Sequence, residues 1–128
     1  MEYAITIILL SLLQYTYFSF LVGASRGKHE VQAPKVAGND IWERSFRVQQ
    51  NTLEQLIVFI PGMLAFSLYV SNIWVLIPGI TFLVGRQVYA YLYVKEPKSR
   101  APGFLLTFFA NMVLVFGSLI GIGLQLAS

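Results

Sequence analysis

Apolar positions along the chain fall into three long uncharged runs, Tyr3–Ala24, Gln55–Gly85 and Ala101–Ser128, and the charge is gathered between them. A helix that crosses a bilayer needs about 20 predominantly apolar residues, so the first and third runs each predict one span. The middle run is too long for one span, and Val70-Ser71-Asn72 interrupts it with a polar pair suited to a tight turn. With the more polar stretch before it, this run predicts two spans. The expected helices lie at approximately residues 3–25, 41–70, 73–93 and 100–126, in a single domain covering residues 1–128. The fold class read from this pattern is an all-α membrane protein, a four-transmembrane-helix bundle.

Residues at the run boundaries refine the picture. Asp40 stands where an N-cap of the second helix belongs, with Glu43 three residues on in a variant of the capping box. A helix from there to Val70 would be about 45 Å long at the usual rise per residue, against a hydrocarbon core of about 30 Å. Its first turns should therefore stand in the headgroups or the cytoplasm, and Pro61 should kink it. The third helix is expected to start near Ile73. The short "VKEPKSR" connection makes the third and fourth helices antiparallel neighbours, with Pro102 in the first turn of the fourth and Ser99 as its candidate cap. Gly117 and Gly121, four apart, suit close helix packing. The first run lacks a basic leader and a small-residue cleavage site, so it reads as a retained helix.

Composition agrees: 56% of the residues are hydrophobic and 12% charged, too apolar for an ordinary soluble domain. The nine basic residues sit in or beside the two polar loops, and neither the chain ends nor the Ser71-Asn72 turn has one. By the positive-inside rule both polar loops face the cytoplasm and both termini the opposite side. The net charge of +3 therefore signals orientation, and no nucleic-acid partner is expected. Cysteine is absent and His29 stands alone in a polar loop, so no metal site is expected either.

What remains is the polar head of the second helix, "IWERSFRVQQNTLEQLIVF". Arg44, Arg47, Asn51 and Glu54 follow three-four-three spacing and share one helix face, with Gln50 and Gln55 flanking. Glu54 falls near the cytoplasmic edge of the apolar core, where an ionisable group is costly and a functional candidate. Arg86 lies at comparable depth on the third helix, with Tyr89 and Tyr93 on its face; Arg26 and Arg100 sit at nearby helix ends. Arginines suit carboxylates, which the planar guanidinium binds in bidentate fashion, and a lone carboxylate suits an ammonium group. The set describes a small zwitterionic peptide-like ligand with more carboxylates than amines. Plainer readings stand beside it: Arg86 and Glu54 as a structural ion pair, Tyr89 and Tyr93 as interfacial belt aromatics. Another class is a small proton-coupled exporter using Glu54, which the surrounding arginines disfavour. One four-helix chain has too little interior to shelter Arg26, Arg47, Gln49 and Glu54 together, so some are expected to face a partner subunit.

The segments "ERSFRVQQNTLEQ", "RQVYAYLY" and "KSRAPG" resemble the MAPEG family, membrane-associated proteins in eicosanoid and glutathione metabolism. The resemblance covers nearly the whole chain and is most specific in the E-R-x-x-R-x-Q-x-N-x-x-E pattern. It implies a homotrimer with glutathione, the co-substrate, bound between subunits near the cytoplasmic face. It implies Arg47, Asn51 and Glu54 at the centre of that site, Gln49 and Arg26 reaching it from the neighbouring subunit, Tyr89 and Tyr93 as the third-helix tyrosines, and Arg100 beside the thiol. Gln55 stands where some leukotriene-forming members have tyrosine, and Gly27 where they have a second arginine. The expected activity is therefore conjugation of glutathione to hydrophobic electrophiles, a detoxification chemistry, with glutathione-dependent peroxidase activity beside it. A non-catalytic lipid-binding or scaffold member is the alternative within the family.

Overall fold

The structure, a computed structural model, describes residues 1–28 and 39–128. His29, Lys35 and the rest of the first polar loop, with the expectations attached to them, lie outside the described residues. Four helices follow in order: α1 (Glu2–Lys28), α2 (Asp40–Tyr69), α3 (Leu76–Lys95) and, after a 3-10 turn at Pro97–Ser99, α4 (Ala101–Ala127).

The helix ends differ from expectation in three places. Asn39, in extended conformation, caps α2: its Oδ1 accepts from the Trp42 N–H at 3.0 Å. Asp40 is thus the first helical residue, and Glu43 lies one position beyond the place a capping box requires. Asp40 instead meets the positive end of the helix dipole and pairs with Arg44 at 2.7 Å. At the far end of α2 the N–H groups of Val70 and Ser71 both donate to Phe66 O. Ser71 Oγ then accepts from the N–H groups of Ile73 and Trp74, at 3.2 and 3.0 Å. The predicted turn is there, but it consumes Ile73–Val75, so α3 begins at Leu76. Ser99 belongs to the 3-10 turn and does not cap α4, whose Ncap, Arg100, makes no side-chain cap bond. Pro61 lies inside an unbroken α2.

Buried Phe59 and Phe82 stack at 3.8 Å at the centre of the core, among Ile7, Met63, Phe66 and Leu114. The exterior is as apolar as the core: Phe20 is 70% exposed, Leu68 66% and Leu124 70%. A surface so continuously apolar suits lipid and not water. Glu2–Gly27, Asp40–Tyr69 and Pro97–Ala127 are long and apolar enough to cross a membrane. At 20 residues, α3 is the shortest helix, and Arg86, Gln87 and three tyrosines dilute its apolar character.

The most extensive helix pairing is α3 with α4, and glycine sets its closeness. A Cβ at Gly103 would run into the backbone N and Cα of Tyr89, and one at Gly85 would lie 2.8 Å from Leu106 Cβ. Close backbones bring Arg86 of α3 against Thr107 of α4 and Tyr89 against Gly103. Gly117 and Gly121 do the same between α4 and the end of α2, opposite Phe66 and Tyr69.

Candidate functional site

Arg86 is fully buried, where α2, α3 and α4 meet. Its Nε donates to Thr107 Oγ1 at 3.0 Å, and its Nη1 to Asn51 Oδ1 at 2.7 Å and Thr52 Oγ1 at 3.2 Å. Its guanidinium also lies 4.4 Å from the centroid of the Tyr89 ring, a cation–π contact worth more where water is excluded. The expected ion pair of Arg86 with Glu54 does not form in the chain: Arg86 is enclosed among amide and hydroxyl oxygens, and Glu54 is exposed. Among the described residues neither Glu54 nor Arg47, also exposed, has a hydrogen bond or ion pair.

Tyr89 and Tyr93 are buried and stacked at 5.4 Å with planes 13° apart, as residues one turn apart on a helix face can be. They are core residues of a cluster with Phe18 and Val48 rather than outward-facing belt aromatics. Tyr89 lies within electrostatic reach of Arg86, Arg100 and Glu54. Arg100, exposed, donates from Nη1 to Pro97 O at 3.2 Å. It lines an open recess of about 610 Å³ with Lys98, Ala101 and Phe104.

Two predicted residues sit apart from this group. Gln49 Nε2 donates to Ser19 Oγ of α1 at 2.9 Å. Arg26, at the end of α1, stacks 4.5 Å over the Trp42 ring, and Trp42 is itself buried, with Nε1 donating to Val22 O at 3.1 Å. Within one chain, then, Arg26 and Gln49 engage the α1–α2 side, Asn51 is tied through Arg86 to α3 and α4, and Tyr89 and Tyr93 pack against Phe18 of α1 and Val48 of α2. A cleft of about 390 Å³ between α1, α2 and α3, walled by Tyr17, Leu21, Val48 and Val94, holds none of the predicted residues.

Sequence reasoning gave no role to Thr52 and Thr107, the hydroxyl partners of Arg86. Their signal was slight: small polar residues in apolar surroundings, facing an arginine that needs acceptors. Gln55, a flanking residue that stands where some members of the resembled family have tyrosine, accepts at Oε1 from Asn111 Nδ2 at 3.0 Å and so is turned toward α4.

The MAPEG family model matches residues 4–120. An uncharacterized protein of Synechocystis sp. is 39% identical over 117 residues, 91% of this chain and 85% of its own length. Microsomal glutathione S-transferase 2 of Bos taurus is 32% identical over 113 residues, covering 88% of this chain and 77% of its own. The Homo sapiens protein of that name is 34% identical over 99 residues, covering 77% and 67%.

Proposed function

Because the chain belongs to the MAPEG family, we propose that it is a membrane-bound glutathione transferase that joins the glutathione thiolate to hydrophobic electrophiles. The observation that carries the reading is a pair of opposite charges without partners among the described residues: Arg47 and Glu54 flank Asn51 on one helix. A carboxylate and a guanidinium exposed at the edge of an apolar segment are costly unless something fills them. Glutathione has the matching groups, two carboxylates and one ammonium, and relatives of this chain carry the name glutathione S-transferase.

All four helices cross the membrane in this reading, α3 with Arg86, Tyr89 and Tyr93 turned inward, and the two basic loops face the cytoplasm. The protein is a homotrimer. Arg26 and Gln49 engage the α1–α2 side of their own chain, away from Asn51. Their contribution to glutathione is then to the site of the neighbouring subunit. Arg47, Asn51, Glu54, Tyr89, Tyr93 and Arg100 supply the rest.

Chemically the task is modest. A cysteine thiol has an ordinary pKa of about 8.5, and the thiolate is the nucleophile. Arg100 beside the sulfur favours the charged form, and Phe104 in the same recess offers the electrophile an apolar wall. The thiolate attacks the electrophilic carbon and a C–S bond forms; an aryl halide then expels its halide with the electron pair, whereas the enolate formed from an unsaturated aldehyde takes up a proton. Positioning and preorganised charge supply the acceleration. In reduction of a lipid hydroperoxide the same thiolate attacks the terminal peroxide oxygen, the O–O bond breaks and the alkoxide leaves as the alcohol. A second glutathione then converts the sulfenic acid to the disulfide with loss of water. The test is turnover of the detergent-purified protein with glutathione on aryl halides, unsaturated aldehydes and lipid hydroperoxides. Conjugation of at least one class well above the uncatalysed rate is expected; glutathione bound without turnover of any would leave the scaffold alternative.

A further inference from the structure

Arg86 is the sole fully buried charged side chain among the described residues, and no carboxylate accompanies it. Burying an unpaired cation is expensive unless oxygen acceptors surround it, and Asn51 Oδ1 gives the shortest of its hydrogen bonds, 2.7 Å. That bond has a chemical consequence. A guanidinium only donates, so Asn51 must present its oxygen to Arg86, and the usual ambiguity between amide O and N is removed. The amide nitrogen, with two donors, is left over. Among the described residues nothing accepts from Asn51 Nδ2, and it is not among the enclosed atoms that lack partners.

We infer that Arg86 is a positioning residue that acts through Asn51, making this amide a fixed donor toward the bound molecule. The ligand group that meets Asn51 is then an acceptor, a carboxylate or an amide carbonyl, and its ammonium belongs to Glu54 one turn along α2. Arg86, whose Nη2 is enclosed without a partner among the described residues, acts through the amide: its charge polarises Asn51 and strengthens the outward N–H groups, as chained hydrogen bonds do in a low dielectric. Thr107 completes the fixture: its Oγ1 accepts from Arg86 and donates to Gly103 O at 3.0 Å. One buried guanidinium thereby holds α2, α3 and the first turns of α4 in register. The inference rests on the proposal that Asn51 belongs to the glutathione site.

The test is Asn51→Asp in the detergent-purified full-length protein, read by equilibrium glutathione binding and by thermal unfolding. The carboxylate still accepts from Arg86, in a charge-assisted bond, but has no N–H to offer. Thermal stability should be kept or raised, while glutathione affinity falls about tenfold or more. Were the ammonium at Asn51, the same change would tighten binding, so the sign decides. In addition, Arg86→Met should weaken glutathione binding in the otherwise unaltered protein but add nothing on an Asn51→Ala background, the mark of action through Asn51. Glutathione bound by Asn51→Asp with equal or higher affinity would overturn the inference and leave the proposed function standing. Absence of binding in the unaltered protein would overturn both.

Discussion

Arg47, Asn51 and Glu54 share a helix face but meet different surroundings: the middle residue is held by Arg86, and the outer two stand exposed. Residue spacing put them together; it did not reveal how the face is rotated against α3. That depends on Thr52 and Thr107, whose hydroxyls make Arg86 tolerable without a carboxylate, and no motif announces two threonines 55 positions apart. The predicted Arg86–Glu54 pair failed for this reason: matched depth along two helices does not fix which way side chains point. Two predictions belong to this scale. Glu54→Gln removes the proposed charged acceptor for the ligand's ammonium, and a charged hydrogen bond is worth about 1.5–3 kcal/mol. Glutathione affinity should therefore fall roughly tenfold to over a hundredfold, with thermal stability little changed because Glu54 has no hydrogen bond or ion pair among the described residues. Arg100→Ala should bind glutathione within a few-fold of normal while losing turnover, since in the proposed role Arg100 acts on the thiolate more than on the thiol. Thiolate absorbance in the near ultraviolet should drop and the pH–rate profile move to higher pH. Arg100→Lys should recover part of the rate, as a point charge replaces the planar fork. Full turnover by Arg100→Ala at neutral pH would return Arg100 to the role of a loop anchor.

Helix number and order were legible in the hydrophobic runs because a bilayer imposes length and apolarity on whatever crosses it. Helix ends were less so. Asn39 and Asp40 are both good capping residues, and backbone conformation, which the residue types do not determine, selected Asn39. The third helix starts late because Ser71 closes the preceding turn through its own hydroxyl. The most consequential glycine was also hidden. Gly117 and Gly121 show the familiar small-residue spacing, whereas Gly103, where α4 meets the backbone of Tyr89, has no such signature. Gly103→Ala should cost about 1–3 kcal/mol through overpacking and displace Tyr89, visible as a lower melting temperature in detergent with weakened glutathione binding. Gly23→Ala, with open space around the added methyl, should be neutral or stabilising by the same assay.

On the scale of the whole molecule the account joins a membrane bundle to a site divided between subunits. Arg26 and Gln49 engage the α1–α2 side of the chain, and Asn51 is tied through Arg86 to α3 and α4. Sequence could name both groups and could not say that they part company within a protomer, because that depends on how four helices are arranged about one another. If neighbouring subunits bring the flanks together, native mass spectrometry in mild detergent should find trimers. Trimers assembled from Gln49→Ala and Glu54→Gln chains should then regain sites that neither variant forms alone; activity intact in a monomer would refute the shared site. The central claim is narrower: the polar stripe of α2 is a glutathione cradle. Equilibrium binding of radiolabelled glutathione to the detergent-purified protein tests it most directly. The account predicts saturable binding at or below millimolar concentration that is weakened by Glu54→Gln, and no saturable binding at millimolar glutathione would contradict it.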